Sequence, residues 1–143
     1  MPTIRYTRNF YFSASHRLNL DHLSADENQR LFGKCNNPYG HGHNYVLAIS
    51  VEGPVRAETG LVIDPAGFEE LVQREVLAVY DHRYLNHDLP QFSTQTATTE
   101  NIATDIRDRL LATWPPGFPA LAHIRVQETK RNVIELPVIE EVV

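Results

Sequence analysis

The strongest constraint on the fold is an alternation of apolar and polar residues over positions 3–16. Successive side chains of a strand point to opposite faces, so this pattern predicts a half-buried β-strand, interrupted in pattern only by Arg8. His16 falls on the apolar parity at the end of the strand. The other residues of that parity are apolar: Ile4, Tyr6, Phe10, Phe12 and Ala14.

A second alternation covers residues 43–52 and ends at Gly53-Pro54. The segment GLVID (60–64) is expected to return as a shorter strand and form a hairpin. Two further strands are predicted in HIRVQET (123–129) and NVIELPVIEEVV (132–143), with a turn at Lys130-Arg131. The apolar face of the second strand carries Tyr45, Leu47, Ile49 and Val51.

Two main helices lie between these strand pairs, and a helical turn is possible near ADENQRLF (25–32). Asp64 is a good N-cap and Pro65 suits the first helical position, so the first helix begins there. The second begins near Thr98 and ends at WPPGFP (114–119). The predicted apolar stripes are Phe68, Leu71, Val72, Val76 and Val79 in the first helix and Ile102, Ile106 and Leu110 in the second.

The element order is therefore β-β-α-α-β-β, which predicts one α+β domain over residues 1–143. Its four-stranded antiparallel sheet has two helices on one face. We expect the other face to carry aromatic and aliphatic side chains, and therefore to be covered by another copy in a homo-oligomer.

Composition excludes several classes of function. The formal net charge is −5 and no lysine- or arginine-rich block occurs, which argues against nucleic acid as a partner. No apolar run approaches the roughly 20 residues that span a bilayer, and no signal peptide is recognisable. One cysteine cannot form an intramolecular disulfide, so a cytoplasmic location is expected.

A His-x-His pair lies at the start of the second strand. His41 and His43 are two residues apart, so their side chains point to the same face, and Gly40 and Gly42 leave room for an ion. His16 is the best candidate for a third ligand, because the first two strands could be neighbours. Three protein ligands and an open position are typical of catalytic zinc, although imidazole also suits copper, iron and nickel.

The pair is also consistent with two other kinds of site. A surface pair without a metal is common. A cupin-type iron site needs a glutamate shortly after the second histidine, but that part of the chain is an apolar run that includes Leu47.

The lone Cys35 stands in a polar segment, GKCNNP, six residues before His41. A lone cysteine is often an apolar filler, but this context also suits a reactive thiol. A nearby cation, such as Lys34 or a metal, would then be needed to favour the thiolate. Asp81-His82 follows the first helix and is either a proton relay or ordinary loop and capping polarity.

Glu128 falls on the apolar parity of the third predicted strand, with Ile124 and Val126. A carboxylate there is either at a solvated strand end or needs polar partners, because burial of an unpaired charge is costly. A ligand with adjacent N–H donors, such as a guanidine-like ring edge, would be such a partner.

These features together resemble the 6-pyruvoyl-tetrahydropterin synthase family, which has the tunnelling fold. The similarity runs in order along nearly the whole chain. The segment from the cysteine to His-x-His is long and specific. The other matches are short and weak singly, but they occur in the same order along the chain. The matching segments are FSASHRL (12–18), LFGKCNNPYGHGHNY (31–45), TGLVID (59–64), DHRYLN (81–86), TTEN (98–101) and VQET (126–129).

The resemblance implies trimers whose sheets close into a barrel, and a hexamer built as a dimer of trimers. It implies that zinc is bound by His16, His41 and His43 and that Cys35 is the general base. The resemblance also assigns a proton relay to Asp81 and His82, and pterin binding to Glu128, Thr99 and Glu100, with sites at subunit interfaces.

The implied reaction converts 7,8-dihydroneopterin triphosphate to 6-pyruvoyl-tetrahydropterin with loss of triphosphate and no organic cofactor. A related family, 6-carboxy-tetrahydropterin synthase, is the alternative; the six-residue offset from Cys35 to His41 and TTEN favour the pyruvoyl branch. A non-catalytic pterin- or metal-binding protein is a further alternative. The triphosphate needs a basic site, for which Lys34, Arg17, Arg30 and Lys130 are candidates.

Overall fold

The computed structural model describes residues 2–139 and shows an α+β fold in which helices cover one face of a sheet. The sheet has five strands in the order β3-β1-β2-β4-β5. The strands are β1 (Thr3–His16), β2 (His41–Pro54), β3 (Arg83–Tyr84), β4 (Ala120–Thr129) and β5 (Asn132–Pro137). The helices are α1 (Ala25–Phe32), α2 (Pro65–Val72), α3 (Ala78–Tyr80), α4 (Leu85–Asp88) and α5 (Thr99–Thr113).

The antiparallel pair β1–β2 is the longest pairing in the sheet. It runs without a shift from Thr3 opposite Pro54 to His16 opposite His41. Both strands were predicted from their alternation, and the register places the histidines of the two strands at the same end of the sheet. β2–β4 and β4–β5 are also antiparallel, each with one irregularity in register.

Three details of the predicted sheet were wrong. β3 adds a two-residue parallel pairing to β1, so the sheet is mixed and five-stranded rather than antiparallel and four-stranded. The segment 60–64 is not a strand: Gly60 turns the chain with a φ of 73°, and Val62 and Ile63 are buried in the core instead. β5 ends at Pro137, and residues 140–143 of the predicted strand lie outside the described residues.

The prediction of two helices was incomplete. The first helix begins as predicted, because Asp64 accepts a hydrogen bond from the Gly67 N–H at 3.2 Å. α2 continues through a π-helical turn (Gln73–Leu77) into α3, and the wider turn rotates the stripe so that Tyr80, not Val79, is fully buried. The short helices α1 and α4 lie in the segments that connect β1 to β2 and β3 to α5.

The second predicted helix is α5, which packs against β4 and β5. Its N-cap is Thr98, whose hydroxyl accepts a hydrogen bond from the Asn101 N–H at 3.2 Å. This helix start lies beside the strand ends that carry the histidines. The predicted stripe is confirmed by the full burial of Ile102, Ile106 and Leu110.

The uncovered sheet face differs from the expectation of an apolar surface. Polar cross-strand pairs follow it, including the Arg5–Glu52 ion pair, the Thr7–Ser50 hydroxyl pair and the Ser13–Asn44 hydrogen bond. Tyr11 is a large aromatic side chain on this face and is 67% exposed. This chain alone does not close its sheet: among the described residues, β3 and β5 are the two edge strands.

None of the helices formed by residues 2–139 combines the length and the hydropathy that a membrane crossing requires.

Phe68 tests the packing between α2 and the sheet. Its side chain is fully buried and contacts the rings of Phe10 and Trp114. We expect Phe68→Ala to lower the free energy of unfolding by about 3–5 kcal/mol, because it leaves a cavity in the core. Denaturant unfolding measures this. Tyr39→Ala is the matched control, since Tyr39 is 96% exposed, and an equal loss in both variants would contradict the described packing.

Candidate metal centre and active site

Four potential ligands converge where β1, β2 and β4 meet the segment after α1. One ligand atom each from His16, Cys35, His43 and Glu128 can be chosen such that all four atoms lie within 4.8 Å of one another. Nitrogen, sulfur and carboxylate oxygen are all ligands that zinc accepts. The cluster therefore has the donor set of a metal centre.

His16 is held in one orientation at the buried edge of the cluster. Its side chain is fully buried, and its Nδ1 lies 2.7 Å from the carbonyl oxygen of Ala97. A carbonyl only accepts, so Nδ1 carries the hydrogen and Nε2 presents a lone pair to the cluster. Burial lowers the pKa of His16 below its ordinary value, which keeps the imidazole in the neutral, ligating form.

His43 faces His16 across the two paired strands. The two Nε2 atoms are 3.1 Å apart, and Cys35 Sγ lies 3.5 Å from His43 Nε2. Burial lowers the pKa of His43, and Glu128 partly opposes this effect. A neutral His43 with its hydrogen on Nε2 donates it to the His16 lone pair at this distance, whereas with the hydrogen on Nδ1 both Nε2 lone pairs are free to share a cation.

His41 was predicted as a metal ligand together with His16 and His43, but it is not one of these four groups. Its ring centroid is 4.8 Å from that of His43, so it stands at the border of the cluster. Its Nδ1 is buried and has no hydrogen-bond partner among residues 2–139. A buried polar atom without a partner is costly, and a bound ion would satisfy it. That His41 is a ligand stays a prediction.

Cys35 is positioned by a short 3₁₀ turn (Gly33–Asn36). The Leu18 N–H donates to the Cys35 carbonyl at 2.7 Å, and the buried Asn36 amide donates to the Leu18 carbonyl at 2.7 Å. The asparagine that follows the cysteine is therefore an anchor for this turn. Burial and the Glu128 carboxylate raise the pKa of Cys35, so a nearby cation is needed for it to act as a thiolate.

Glu128 has the polar partners that its position on an apolar parity required. The Thr99 hydroxyl donates a hydrogen bond to Oε2 at 2.5 Å. Oε2 also lies 3.9 Å from His16 Nε2, and Oε1 lies 3.8 Å from His43 Nε2. The predicted pair of Thr99 and Glu128 is thus in direct contact.

A cavity of about 420 Å³ opens beside Glu128 and Thr99. Glu100 and Arg131 also line it, and Leu18, Leu31 and Phe32 give it an apolar wall. An apolar wall with a few converging polar groups is typical of a small-molecule site. This cavity places all three predicted pterin-binding residues on one surface.

Asp81 and His82 are not part of the donor cluster. Asp81 accepts a hydrogen bond from the Ser13 N–H at 2.9 Å and is 3.1 Å from His82 Nδ1. His82 adopts a φ of 60°, and its side chain is 83% exposed. Within the described part of the chain no hydrogen bond joins the pair to Cys35, whose side chain contacts His43 instead, and the proton relay stays a prediction.

Two groups of the site are not evident from the sequence. The Ala97 carbonyl carries no side-chain signal. Tyr45 shares the apolar parity and was assigned to the core, which its 1% exposure confirms, but its hydroxyl has no partner among the described residues. Its ring lies edge-on to His43 at 5.6 Å and helps to fix that imidazole, and burial raises its pKa.

Known proteins resemble this chain over nearly its full length. The 6-pyruvoyl tetrahydropterin synthase family matches residues 5–137. The chain is 41% identical over 128 residues to the 6-pyruvoyl tetrahydrobiopterin synthase of Homo sapiens, covering 90% of this chain and 87% of the human protein. The structure of the Caenorhabditis elegans 6-pyruvoyl tetrahydropterin synthase superposes with a TM-score of 0.86 at 37% identity and covers 96% of each chain.

A relative from the alternative family is more distant. The 6-carboxy-5,6,7,8-tetrahydropterin synthase of Rickettsia conorii is 26% identical over 122 residues, covering 75% of this chain and 80% of that protein.

The lowered histidine pKa values predict how the metal-free protein responds to acid. The unfolded chain protonates its histidines near pH 6.5, whereas folded His16 and His43 stay neutral to a lower pH. The unfolded state then binds more protons, so the free energy of unfolding falls as the pH drops from about 6.5 toward the lowered values. Urea unfolding in the presence of a chelator, at a series of pH values, measures this slope.

The double variant His16→Gln/His43→Gln is expected to flatten this slope. His87→Gln is the matched control, because the His87 side chain is 86% exposed, and it should leave the slope unchanged. An identical slope in all three proteins would contradict the assignment of buried, neutral imidazoles.

Proposed function

The chain belongs to the 6-pyruvoyl tetrahydropterin synthase family, and on that basis we propose that it is a zinc-dependent lyase. The proposed reaction converts 7,8-dihydroneopterin triphosphate to 6-pyruvoyl-tetrahydropterin with loss of triphosphate. The observation that carries the proposal is the contact of Cys35 with His43, within a donor cluster that borders the cavity of Glu128 and Thr99.

The pterin ring is proposed to bind in that cavity. The Glu128 carboxylate, only 10% exposed, would accept hydrogen bonds from the N–H groups of the pyrimidine edge, as a buried anion requires donors. Thr99 fixes the carboxylate by its hydrogen bond, and Glu100 lies at the same wall. Leu18 and Phe32 would contact the faces of the ring.

The metal is proposed to be held by His16, His41 and His43. The lone pair of His16, the neutral state of His43 and the unpartnered Nδ1 of His41 all fit this role. When bound, zinc would supply Lewis-acid polarisation of the hydroxyl oxygens on the substrate side chain.

Cys35 is proposed as the general base that removes a proton from a side-chain carbon of the substrate. The electron pair released at that carbon expels the triphosphate from the neighbouring carbon, and the resulting enol tautomerises to one ketone. The second ketone forms when the hydroxyl-bearing carbon beside the ring loses its proton: the released electron pair reduces the ring C=N bond, the ring nitrogen takes up a proton, and this enol tautomerises by protonation of the ring carbon. The reaction is therefore an internal rearrangement of oxidation levels and needs no external oxidant. This agrees with the expectation of no organic cofactor.

Asp81 and His82 are proposed to act on Cys35 of a neighbouring subunit in a hexamer built from two barrel-forming trimers. Asp81 orients the imidazole through Nδ1, which leaves the other ring nitrogen of the exposed His82 available to another chain. Such a relay would pass the proton taken by the thiol to the imidazole. The free thiol suits a reducing compartment, so a cytoplasmic location is part of this proposal.

Turnover of 7,8-dihydroneopterin triphosphate, followed by mass analysis of the products, tests the function. We expect triphosphate and 6-pyruvoyl-tetrahydropterin. Cys35→Ala should retain zinc and lose turnover by about two to four orders of magnitude, because the base is absent, whereas His43→Ala should lose both. Acetaldehyde with a 6-carboxypterin would favour the alternative family. Absence of turnover with intact zinc and pterin binding would favour a non-catalytic homologue.

Mixed oligomers test the shared site. Cys35→Ala and His82→Ala are each expected to be nearly inactive alone. If the thiol and the imidazole come from different chains, random mixing restores both groups in about a quarter of the sites. Refolding the two variants together and measuring turnover gives the result. Activity no higher than that of the separate variants would show that the two residues do not act across subunits.

A further inference from the structure

A second polar cavity is lined by residues that follow the end of β1 and by the segment 92–96. Its volume is about 260 Å³, which is several times the roughly 30 Å³ that one water occupies in the liquid. Arg17, the residue after His16, contributes the positively charged side chain. The hydroxyls of Thr94 and Thr96 and the amides of Asn19 and Gln95 line the same cavity.

Arg17 lacks the partners that a partly buried guanidinium needs. Its Nε is buried and has no hydrogen-bond partner, and no carboxylate among residues 2–139 forms an ion pair with it. The backbone is fixed, since the Asn86 amide accepts from the Arg17 N–H at 2.8 Å and donates to the Arg17 carbonyl at 2.7 Å. The Arg17 backbone is therefore held in place, while its guanidinium has no ion-pair partner within residues 2–139.

Most of the other lining groups are neutral and can donate hydrogen bonds as well as accept them. The side chains of Thr94, Gln95 and Thr96 have no hydrogen-bond partner within the described residues, so their O–H and N–H groups remain available. Asp21 is the one acidic residue of the lining, and it is exposed and accepts a hydrogen bond from Asn19 at 3.2 Å. A cation surrounded by neutral donors suits an anion with several oxygens.

We propose that the Arg17 cavity binds a phosphate-bearing anion. A guanidinium matches a phosphate group with two parallel hydrogen bonds, and the hydroxyl and amide groups would engage the remaining oxygens. Arg17 is thereby distinguished from Lys34, Arg30 and Lys130, which line neither this cavity nor the one beside Glu128. The negative charge of Asp21 repels the anion and weakens its binding.

The cavity is connected to the donor cluster through covalent neighbours. Arg17 follows the metal-ligand candidate His16, and residues 93–96 lead directly to Ala97, whose carbonyl orients His16. The anion is either the triphosphate tail of the substrate, which rests on the proposed function, or a free phosphate compound. Both sources share the same recognition chemistry.

Calorimetric titration of the zinc-loaded protein with inorganic triphosphate tests the site. We expect Arg17→Gln to weaken binding at least tenfold and Asp21→Asn to strengthen it. Arg30→Gln removes the same charge from the exposed surface of α1 and should bind like the wild type. The Arg17 dependence should persist in His43→Ala, which separates this site from direct coordination to zinc.

Equal affinity of Arg17→Gln and Arg30→Gln, or no binding by the wild type, would overturn the proposal. Thr94→Val/Thr96→Val provides a second test should Arg17→Gln fail to fold, and unchanged affinity there would also count against the site.

Enzyme kinetics distinguish the two possible sources of the anion. A raised KM with an unchanged kcat in Arg17→Gln, together with competitive inhibition by triphosphate, indicates the substrate tail. An unchanged KM indicates a free anion. The titration stands even if no turnover is found.

Discussion

The pairing of β1 with β2 determines whether the rest of the site can exist. Fourteen residue pairs lie in unshifted antiparallel register, and the last of them sets His16 opposite His41. A slip by one residue would turn every side chain of one strand to the other face. The apolar parity of both strands prevents this slip, because Phe10, Phe12 and Leu47 would leave the core. The core thus maintains the geometry of the imidazoles.

The sequence predicted those parts of the fold whose signal is local and repetitive. Alternation located β1 and β2, and Asp64 and Thr98 located two helix starts, since a cap is recognisable from one side chain and its position. The two-residue parallel pairing of β3 has no such signal, because it depends on where the chain returns to Ser15. The π-helical turn likewise departs from the 3.6-residue period on which the apolar stripe was assigned.

The residues of the candidate site also fall into those that a local pattern predicts and those that it does not. His16, His43 and Glu128 were predicted from parity, and the structure brings them together because their strands are neighbours. Asp81 and His82 were predicted from composition and resemblance, and this single chain does not join them to Cys35. Whether they approach the Cys35 of another subunit depends on how subunits assemble, which neither periodicity nor one chain can specify. The Ala97 carbonyl was unpredictable because every residue has one.

The donor cluster of His16, Cys35, His43 and Glu128 has the composition of a site that could hold a cation. Burial lowers the pKa of His16 and of His43, which favours their neutral forms, and burial together with the Glu128 carboxylate raises the pKa of the Cys35 thiol. Without a cation, the carboxylate lacks a charged partner and the thiol resists ionisation. A cation would stabilise the carboxylate, occupy the converging lone pairs and lower the pKa of the thiol together. Binding of a cation and ionisation of the Cys35 thiol would therefore be coupled electrostatically, and a substitution that affects one would alter the other.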